Sequence, residues 1–283
     1  MPETVTDSVW LITGCSTGLG RAIAVAALDN GYRVVVTARD PDRVKDLAAT
    51  YPAHALALPL DVTDASQVTA TVAEAERVFG RIDVLVNNAG YGYLAAIEEG
   101  EESDVQAMFD TNFFGVMRMV KAVLPGMRKR GRGHIVNISS MTGLVANPAA
   151  GYYASSKFAL EALTEALSKE VHPLGIRVTA IEPGAFRTDW SGRSMKESRL
   201  AIAAYANTAG ARRVLIRAAD GRQAGDPARA AAAVLMVVES AQPPLHLLLG
   251  RDIYEAFQAK LAGWRDTLAE WESVTLGTDF PQG

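Results

Sequence analysis

Val9-Trp-Leu-Ile-Thr13-Gly14-Cys15-Ser16-Thr17-Gly18-Leu19-Gly20-Arg21-Ala-Ile-Ala-Val-Ala-Ala-Leu28 is the stretch whose reading decides the fold. Residues 9–13 are a short apolar run of strand length, and 21–28 read as a helix. Between them the glycines follow a G-x-x-x-G-x-G spacing, distinct from G-x-G-x-x-G. A glycine loop after a strand and before a helix has the geometry of a nucleotide site. Glycine lets the backbone approach a pyrophosphate, and the helix N-terminus offers unpaired N–H groups and a positive dipole end. Cys15 sits inside this loop and reads as a small loop residue, because nothing in the sequence pairs it with a base.

Outward from that stretch, apolar runs at 32–38, 54–60, 82–87, 133–140, 175–181 and 245–249 alternate with helical stretches at 64–79, 103–130, 153–172 and from 226. The alternation is continuous, so one α/β domain, 1–283, is expected rather than two. The net charge is -4, and the one short basic run, Arg128-Lys129-Arg130 with Arg132, sits at a helix end. That is a place for cations on helix-dipole grounds, not a nucleic-acid patch. No apolar run reaches the roughly 18 residues needed to span a bilayer. Residues 1–8 are polar and acidic, unlike a signal peptide. The single cysteine cannot form an internal disulfide. A soluble cytoplasmic protein is expected, with no metal, membrane or nucleic-acid partner.

The strand ends carry the chemistry, because open α/β sheets bind ligands there. After the second strand an acidic residue would suit a ribose 2′-OH, and an arginine a 2′-phosphate. Here the strand ends Thr37-Ala38-Arg39, and Asp40-Pro41 reads as the start of the next helix. Arg39 is then free for a phosphate, which favours NADP over NAD. Asp61, before Val62, either receives an adenine amino group or caps a helix. Asn87-Asn88-Ala89-Gly90 reads as structural support, with asparagines tying strand ends together. Tyr91 and Tyr93 follow at the same edge and are candidate pocket residues. The run Glu98-Glu-Gly-Glu-Glu102 reads as solvated, at a helix N-terminus. Asn112 is a polar residue inside an apolar helix, a local conflict of the kind that marks function. Pro125 is expected to kink that helix or end its regular part. Ser139 and Ser140 face opposite ways if extended, so only one reaches the cleft. His134 lies at the far end of their strand.

Tyr153-Ala-Ser-Ser-Lys157 opens a helix, and positions four apart share one face. An ammonium beside a phenol lowers the tyrosine pKa from about 10. A phenol so tuned can give a proton to a carbonyl oxygen or take one from an alcohol. Tyr152 has Ser156 four residues on, so the argument fails in its register. Beyond the sixth strand, Glu182-Pro183-Gly184 forces a turn and Thr188 is placed to contact a cofactor. Residues 189–225 lose the alternation, hold small helical pieces, and are expected to cover a substrate. Trp190, Met195 and Tyr205 suit its apolar face or generic packing equally well. Asp226-Pro227 caps a further helix. The last helix, 253–271, carries Trp264 and Trp271 on one face, against the body or another subunit.

Together these motifs resemble the short-chain dehydrogenase/reductase family, in order and over nearly the whole chain. Thr13-Gly14-x-x-x-Gly18-x-Gly20 is similar to its cofactor loop, Asp61-Val62 to its adenine motif and Asn88-Ala89-Gly90 to its fourth-strand motif. Asn112, Ser140, Tyr153 and Lys157 match its four catalytic positions; Pro183-Gly184 and Thr188 match the motif after the sixth strand. The resemblance implies a Rossmann-type doubly wound three-layer α/β fold with a seven-stranded parallel sheet. It implies Tyr153 as general acid or base and Lys157 as the group that lowers its pKa and binds the nicotinamide ribose. Ser140 would orient the reacting oxygen, and Asn112 would hold a water linking Lys157 to solvent. The cofactor contacts would be Gly14, Ser16, Thr17, Gly18, Leu19, Arg39, Asp61, Val62, Asn88, Ala89, Gly90, Tyr153, Lys157, Pro183, Gly184 and Thr188, with Arg21 a weaker candidate.

The resemblance also implies a homodimer or homotetramer built on the helices at 103–130 and 153–172, with 250–283 a C-terminal helical extension. Tyr91, Tyr93, Met141, Asn147 and Trp190 are the substrate-pocket candidates. Two functions follow. One is an NADP(H)-dependent reductase acting on a ketone, aldehyde or secondary alcohol, bulky or apolar. The other is a non-catalytic dinucleotide-binding redox sensor on the same fold. Degenerate members of that kind usually lack the tyrosine or lysine, and this chain keeps both.

Overall fold

The computed structural model describes residues 7–190, 192 and 194–280. The opening residues 1–6, read above as polar and acidic, lie outside the described residues. The first half runs β1 (Val9–Ile12), α1 (Gly18–Asp29), β2 (Arg33–Ala38), α2 (Lys45–Thr50), β3 (Ala55–Pro59), α3 (Ala65–Phe79), β4 (Val84–Asn87), β5 (Gly92–Leu94), α4 (Glu102–Phe109) and α5 (Gly115–Arg130). The second half runs β6 (Gly133–Ile138), α6 (Gly151–Val171), β7 (Ile176–Pro183), β8 (Met195–Glu197), α7 (Ala211–Ala218), α8 (Pro227–Glu239), β9 (His246–Leu249), α9 (Arg251–Glu270) and α10 (Glu272–Leu276).

Seven strands form one parallel sheet in the order β3-β2-β1-β4-β6-β7-β9. Its central strands are apolar without alternation because both faces are covered. Along β1 and β2, Trp10, Ile12, Val34 and Val36 join the layer under α1 and α8. Leu11 and Val35 join the opposite layer, under α3, α5 and α6. This is the doubly wound α/β fold expected. The strand order reverses between β1 and β4, so the crevice at their C-terminal ends is the switch point where such sheets take ligands.

The structure departs from the sequence reading at four places. β5 and β8 pair in parallel as a separate two-stranded sheet, Gly92 opposite Met195 and Leu94 opposite Glu197. Strands of three residues are too short to leave a periodic signal. The helix expected at 103–130 is broken by a π turn at Asp110–Phe114, which contains Asn112, and Pro125 does not end it. Pro125 and Lys121, whose carbonyl loses its helical partner, both lie on the exposed side of the helix, where a missing backbone bond costs least. The acidic run is not wholly solvated: Glu99 is buried and ion-paired to Arg213. The helix expected at 253–271 runs instead from Arg251 to Glu270 as α9, a short α10 follows Trp271, and Trp264 and Trp271 are exposed rather than packed on the body.

Candidate active site

The glycine loop is stitched to β4 by Asn88. Its Nδ2 donates to the carbonyls of Thr13 (2.9 Å) and Gly14 (3.0 Å). The Thr13 hydroxyl accepts in return from the N–H groups of Asn88 and Ala89, each at 2.9 Å. The support reading of 87–90 therefore holds, and Asn87 extends it: Asn87 Nδ2 donates to Asn137, whose Nδ2 donates to Thr164 on α6, both at 2.9 Å. A side chain at Gly20 would run into Asn88 and the Gly14 carbonyl. Gly18 has φ +62°, a conformation that favours glycine, and a Cβ there would stand 3.6 Å from Thr188. Thr17 precedes α1 without capping it by side chain, and the first turn carries no acidic residue. The α1 N–H groups are thus left for an anion, with Ser16, Thr17 and Leu19 half-buried around them. Cys15 is fully buried, and burial pushes its thiol up to about 12, so it is an inert loop residue.

Arg39 directly follows β2, exposed and without an ion pair among the described residues. Arg21 pairs with Asp46 and its guanidinium also reaches the Arg43 carbonyl, whereas Arg39 has no such side-chain partner among the described residues. Asp61 accepts from the Thr63 N–H (2.9 Å) and hydroxyl (2.7 Å), while the α3 cap is Asp64. The helix-cap alternative for Asp61 is thereby removed. Val62 is buried against Gly115.

The candidate catalytic side chains gather where β6 ends. Lys157 is buried on α6 and its Nζ donates to the Ile138 carbonyl at 2.9 Å; the ammonium stands 5.9 Å from the Tyr153 ring centre. A Cβ on Gly90 would lie 3.8 Å from that Nζ and 3.0 Å from Asn112 Oδ1, so the adjoining wall is backbone. Ser140, not Ser139, faces the phenol. Its hydroxyl also accepts from the Thr142 N–H at 3.1 Å and lies 2.9 Å from the Thr142 hydroxyl. Thr142 belongs to the site and was missed, since a hydroxyl two residues past a strand end leaves no distinctive signal.

The electrostatics correct one expectation. Burial dominates Tyr153 and pushes its phenol up to about 12, while hydrogen bonds with Ser140 and Thr142 pull it down. Burial likewise pushes Lys157 down to about 8, opposed by the charge of Glu161. Tyr153 is therefore a neutral phenol at pH 7, not one already tuned down. Behind Lys157 lies a charged cluster. His246 Nδ1 is 2.8 Å from Glu182 and 3.4 Å from Glu161, which push the imidazole up to about 10; burial pushes Glu182 up to about 7.

Asn112 is fully buried in the π turn. Its Oδ1 accepts the Tyr91 N–H (3.0 Å), and its Nδ2 donates to the Tyr91 carbonyl (2.9 Å) and to Ser156 (3.3 Å). The side chain is thus spent on holding the 90–92 loop beside Lys157. Among the pocket candidates, Trp190 lies 5.4 Å from the Tyr153 ring, and Tyr91 is half-buried under the Lys196 ammonium. Met141 is half-buried in the turn after Ser140. Tyr93 is a correction: it is fully buried, and its hydroxyl accepts the Glu101 N–H at 3.0 Å, so it is core. Asn147 lies in the loop before α6, where its carbonyl accepts the Ala150 N–H. Pro183 is buried at the end of β7, and the Gly184 N–H donates to Leu249 at 2.8 Å. His134 is buried at the far end of β6 and pushed down to about 3, so it is no base for this site.

Comparison with known proteins agrees with this architecture. The family model for the short chain dehydrogenase matches residues 8–199. The oxidoreductase BOA17 of Botryotinia fuckeliana is 41% identical over 87% of this chain and 90% of its own. A protein of Bacteroides thetaiotaomicron named 3-ketodihydrosphingosine reductase is 37% identical over 90% of this chain and 91% of its own. Among solved structures, a short-chain dehydrogenase from Streptomyces avermitilis superposes with TM-score 0.90 at 42% identity, covering 96% of this chain and 100% of that one.

The chain belongs to the short-chain dehydrogenase family and is an oxidoreductase of the kind that acts on CH–OH groups. Structural neighbours bind either nicotinamide dinucleotide. An alcohol dehydrogenase from Thermococcus sibiricus holds 5-hydroxy-NADP (28% identity, TM-score 0.70, 86% of this chain and 95% of that one). A family member from Burkholderia phymatum holds NAD (25% identity, TM-score 0.77, 98% of each chain). The uncapped α1 N-terminus and the Gly18 opening opposite Thr188 fit such a group. No helix among the described residues is long and apolar enough to cross a membrane.

Proposed function

We propose that this chain is an NADP(H)-dependent carbonyl reductase, reversible as an alcohol dehydrogenase, for a bulky or apolar ketone, aldehyde or secondary alcohol. The observation that carries the reading is the grouping of buried Tyr153 and Lys157 with half-buried Ser140 beneath Trp190. In this reading Gly14, Ser16, Thr17, Gly18 and Leu19 hold the pyrophosphate and Arg39 the 2′-phosphate. Asp61, Val62, Asn88, Ala89 and Gly90 flank the adenosine; Pro183, Gly184 and Thr188 flank the nicotinamide end, with Tyr153 and Lys157 on its ribose.

The cofactor supplies the hydride. Tyr153 holds the proton destined for the carbonyl oxygen, and burial keeps that proton on the phenol until a substrate oxygen accepts it. Lys157 carries the positive charge that steadies the phenolate left behind. Ser140, itself hydrogen-bonded to Thr142, positions the same oxygen. Asn112 fixes the Tyr91 loop and so keeps Gly90 close to Lys157.

The segment 189–225 is read as the substrate cover, anchored by β8 on β5 and by Arg213 on Glu99. Trp190, Tyr91 and Met141 give it an apolar lining, which favours a bulky carbonyl. The relative named 3-ketodihydrosphingosine reductase favours a ketone. A panel of aryl and long-chain ketones and aldehydes, followed by NADPH oxidation, tests the proposal. Turnover of at least one is expected. Tight NADPH binding with none turned over would favour the redox-sensor reading instead.

A further inference from the structure

α9 leaves the body soon after it begins. Its first turns are held by buried Ile253 and by Lys260, whose ammonium donates to the Leu144 carbonyl and sits 4.8 Å from the Phe158 ring. From residue 261 to residue 280 every residue is exposed. The helical parts of that stretch, the last ten residues of α9 and the short α10, are marginal in water without tertiary packing. Yet its large apolar side chains recur at alternating spacings of three and four, from Tyr254 to Trp271, with Tyr254 59% and Trp264 60% exposed. That is the a/d seam of a coiled coil, a narrow stripe suited to one other helix.

We propose that α9, with Trp271 at its C-terminal cap, docks a second copy of this chain, paired antiparallel along Tyr254, Phe257, Leu261, Trp264, Leu268 and Trp271. Charge and spacing select this occupant. Antiparallel pairing centred between Leu261 and Trp264 sets Tyr254 against Trp271, Phe257 against Leu268 and Leu261 against Trp264 of the second copy, with no seam position left over. It also brings Arg251 beside Glu272 of the second copy, twice by two-fold symmetry. Parallel pairing would instead set Lys260 beside Arg265 twice, like charge against like. An anionic bilayer is a poor occupant, because residues 251–280 carry three basic and six acidic side chains. The exposed aromatic and leucine side chains offer on the order of 600 Å² per copy. That approaches the roughly 800 Å² per partner of a standard interface.

The test is the particle mass of the full chain by size exclusion with light scattering, for wild type and for Trp264→Glu with Leu268→Glu. Both sites are exposed, so the body is expected to stay folded, with far-UV helicity falling by no more than the unpacked stretch after residue 260 accounts for. The variant is expected at half the wild-type mass. A monomeric wild type, or a variant of unchanged mass, overturns the proposal. Arg251→Glu should weaken the assembly and Glu272→Arg added to it should restore it; failure of that rescue overturns the antiparallel pairing.

Discussion

Glu99 and Arg213 meet as a buried ion pair between residues 114 apart in the chain. The Glu99 carboxylate also accepts the N–H groups of Ala96 (3.0 Å) and Ile202 (2.8 Å), so one side chain gathers the loop before α4, the 200s loop and α7. Removing one partner of a buried pair strands the other charge, at a cost of about 3–5 kcal/mol. Arg213→Ala should lose stability of that order in urea denaturation. Glu99→Gln combined with Arg213→Met should lose much less, because no charge is left uncompensated.

Trp190 reaches the Tyr153 ring from the segment that pair anchors. Aromatic contacts of this kind are worth about 0.5–1.5 kcal/mol beyond the area they bury. Trp190→Ala is expected to raise KM for a bulky aryl ketone about tenfold, while NADPH affinity stays unchanged. Titration of cofactor fluorescence alongside steady-state kinetics separates the two.

Arg39 is the exposed cation at the end of β2. A hydrogen bond to a charged group contributes about 1.5–3 kcal/mol. Arg39→Ala should therefore weaken NADPH by roughly ten- to a hundredfold and leave NADH nearly unaffected. Equal weakening of both would remove the 2′-phosphate contact.

His134 gives a pH dependence of stability. Burial first, and the Arg177 charge second, push its imidazole down to about 3. The unfolded chain titrates near 6.5. A depressed folded pKa means the contribution is full above about 6.5 and is lost as pH falls toward 3, each pH unit in that window costing about 1.4 kcal/mol. Between pH 7 and pH 5, wild type should lose more stability in urea than His134→Gln.

The long elements were legible in the sequence and the short contacts were not. All seven strands of the main sheet announce themselves as largely apolar runs, because a strand covered on both faces is mostly apolar, with His134, Asn137, Thr179 and Glu182 among the buried exceptions. The glycine loop and the Tyr153, Lys157 and Ser140 positions are readable because each has a fixed spacing. β5 and β8 are three residues each and have no period. The π turn at Asn112 shows in sequence only as a polar residue out of place. Glu99 looked solvated because its partner lies 114 residues away. Tyr93 looked like pocket because an aromatic on a loop reads the same whether it lines a cleft or fills the core. The Tyr153 pKa went the other way because burial, the larger effect, is invisible in a spacing of four.

The central claim is that Tyr153 supplies the proton to a carbonyl oxygen, and Tyr153→Phe tests it most directly. The phenyl ring keeps the packing against Trp190 and removes only the hydroxyl. Ketone reduction, on whichever substrate the panel yields, should fall at least a hundredfold, while NADPH binds within about twofold of wild type. Turnover near the wild-type rate, with cofactor still bound, would contradict the account.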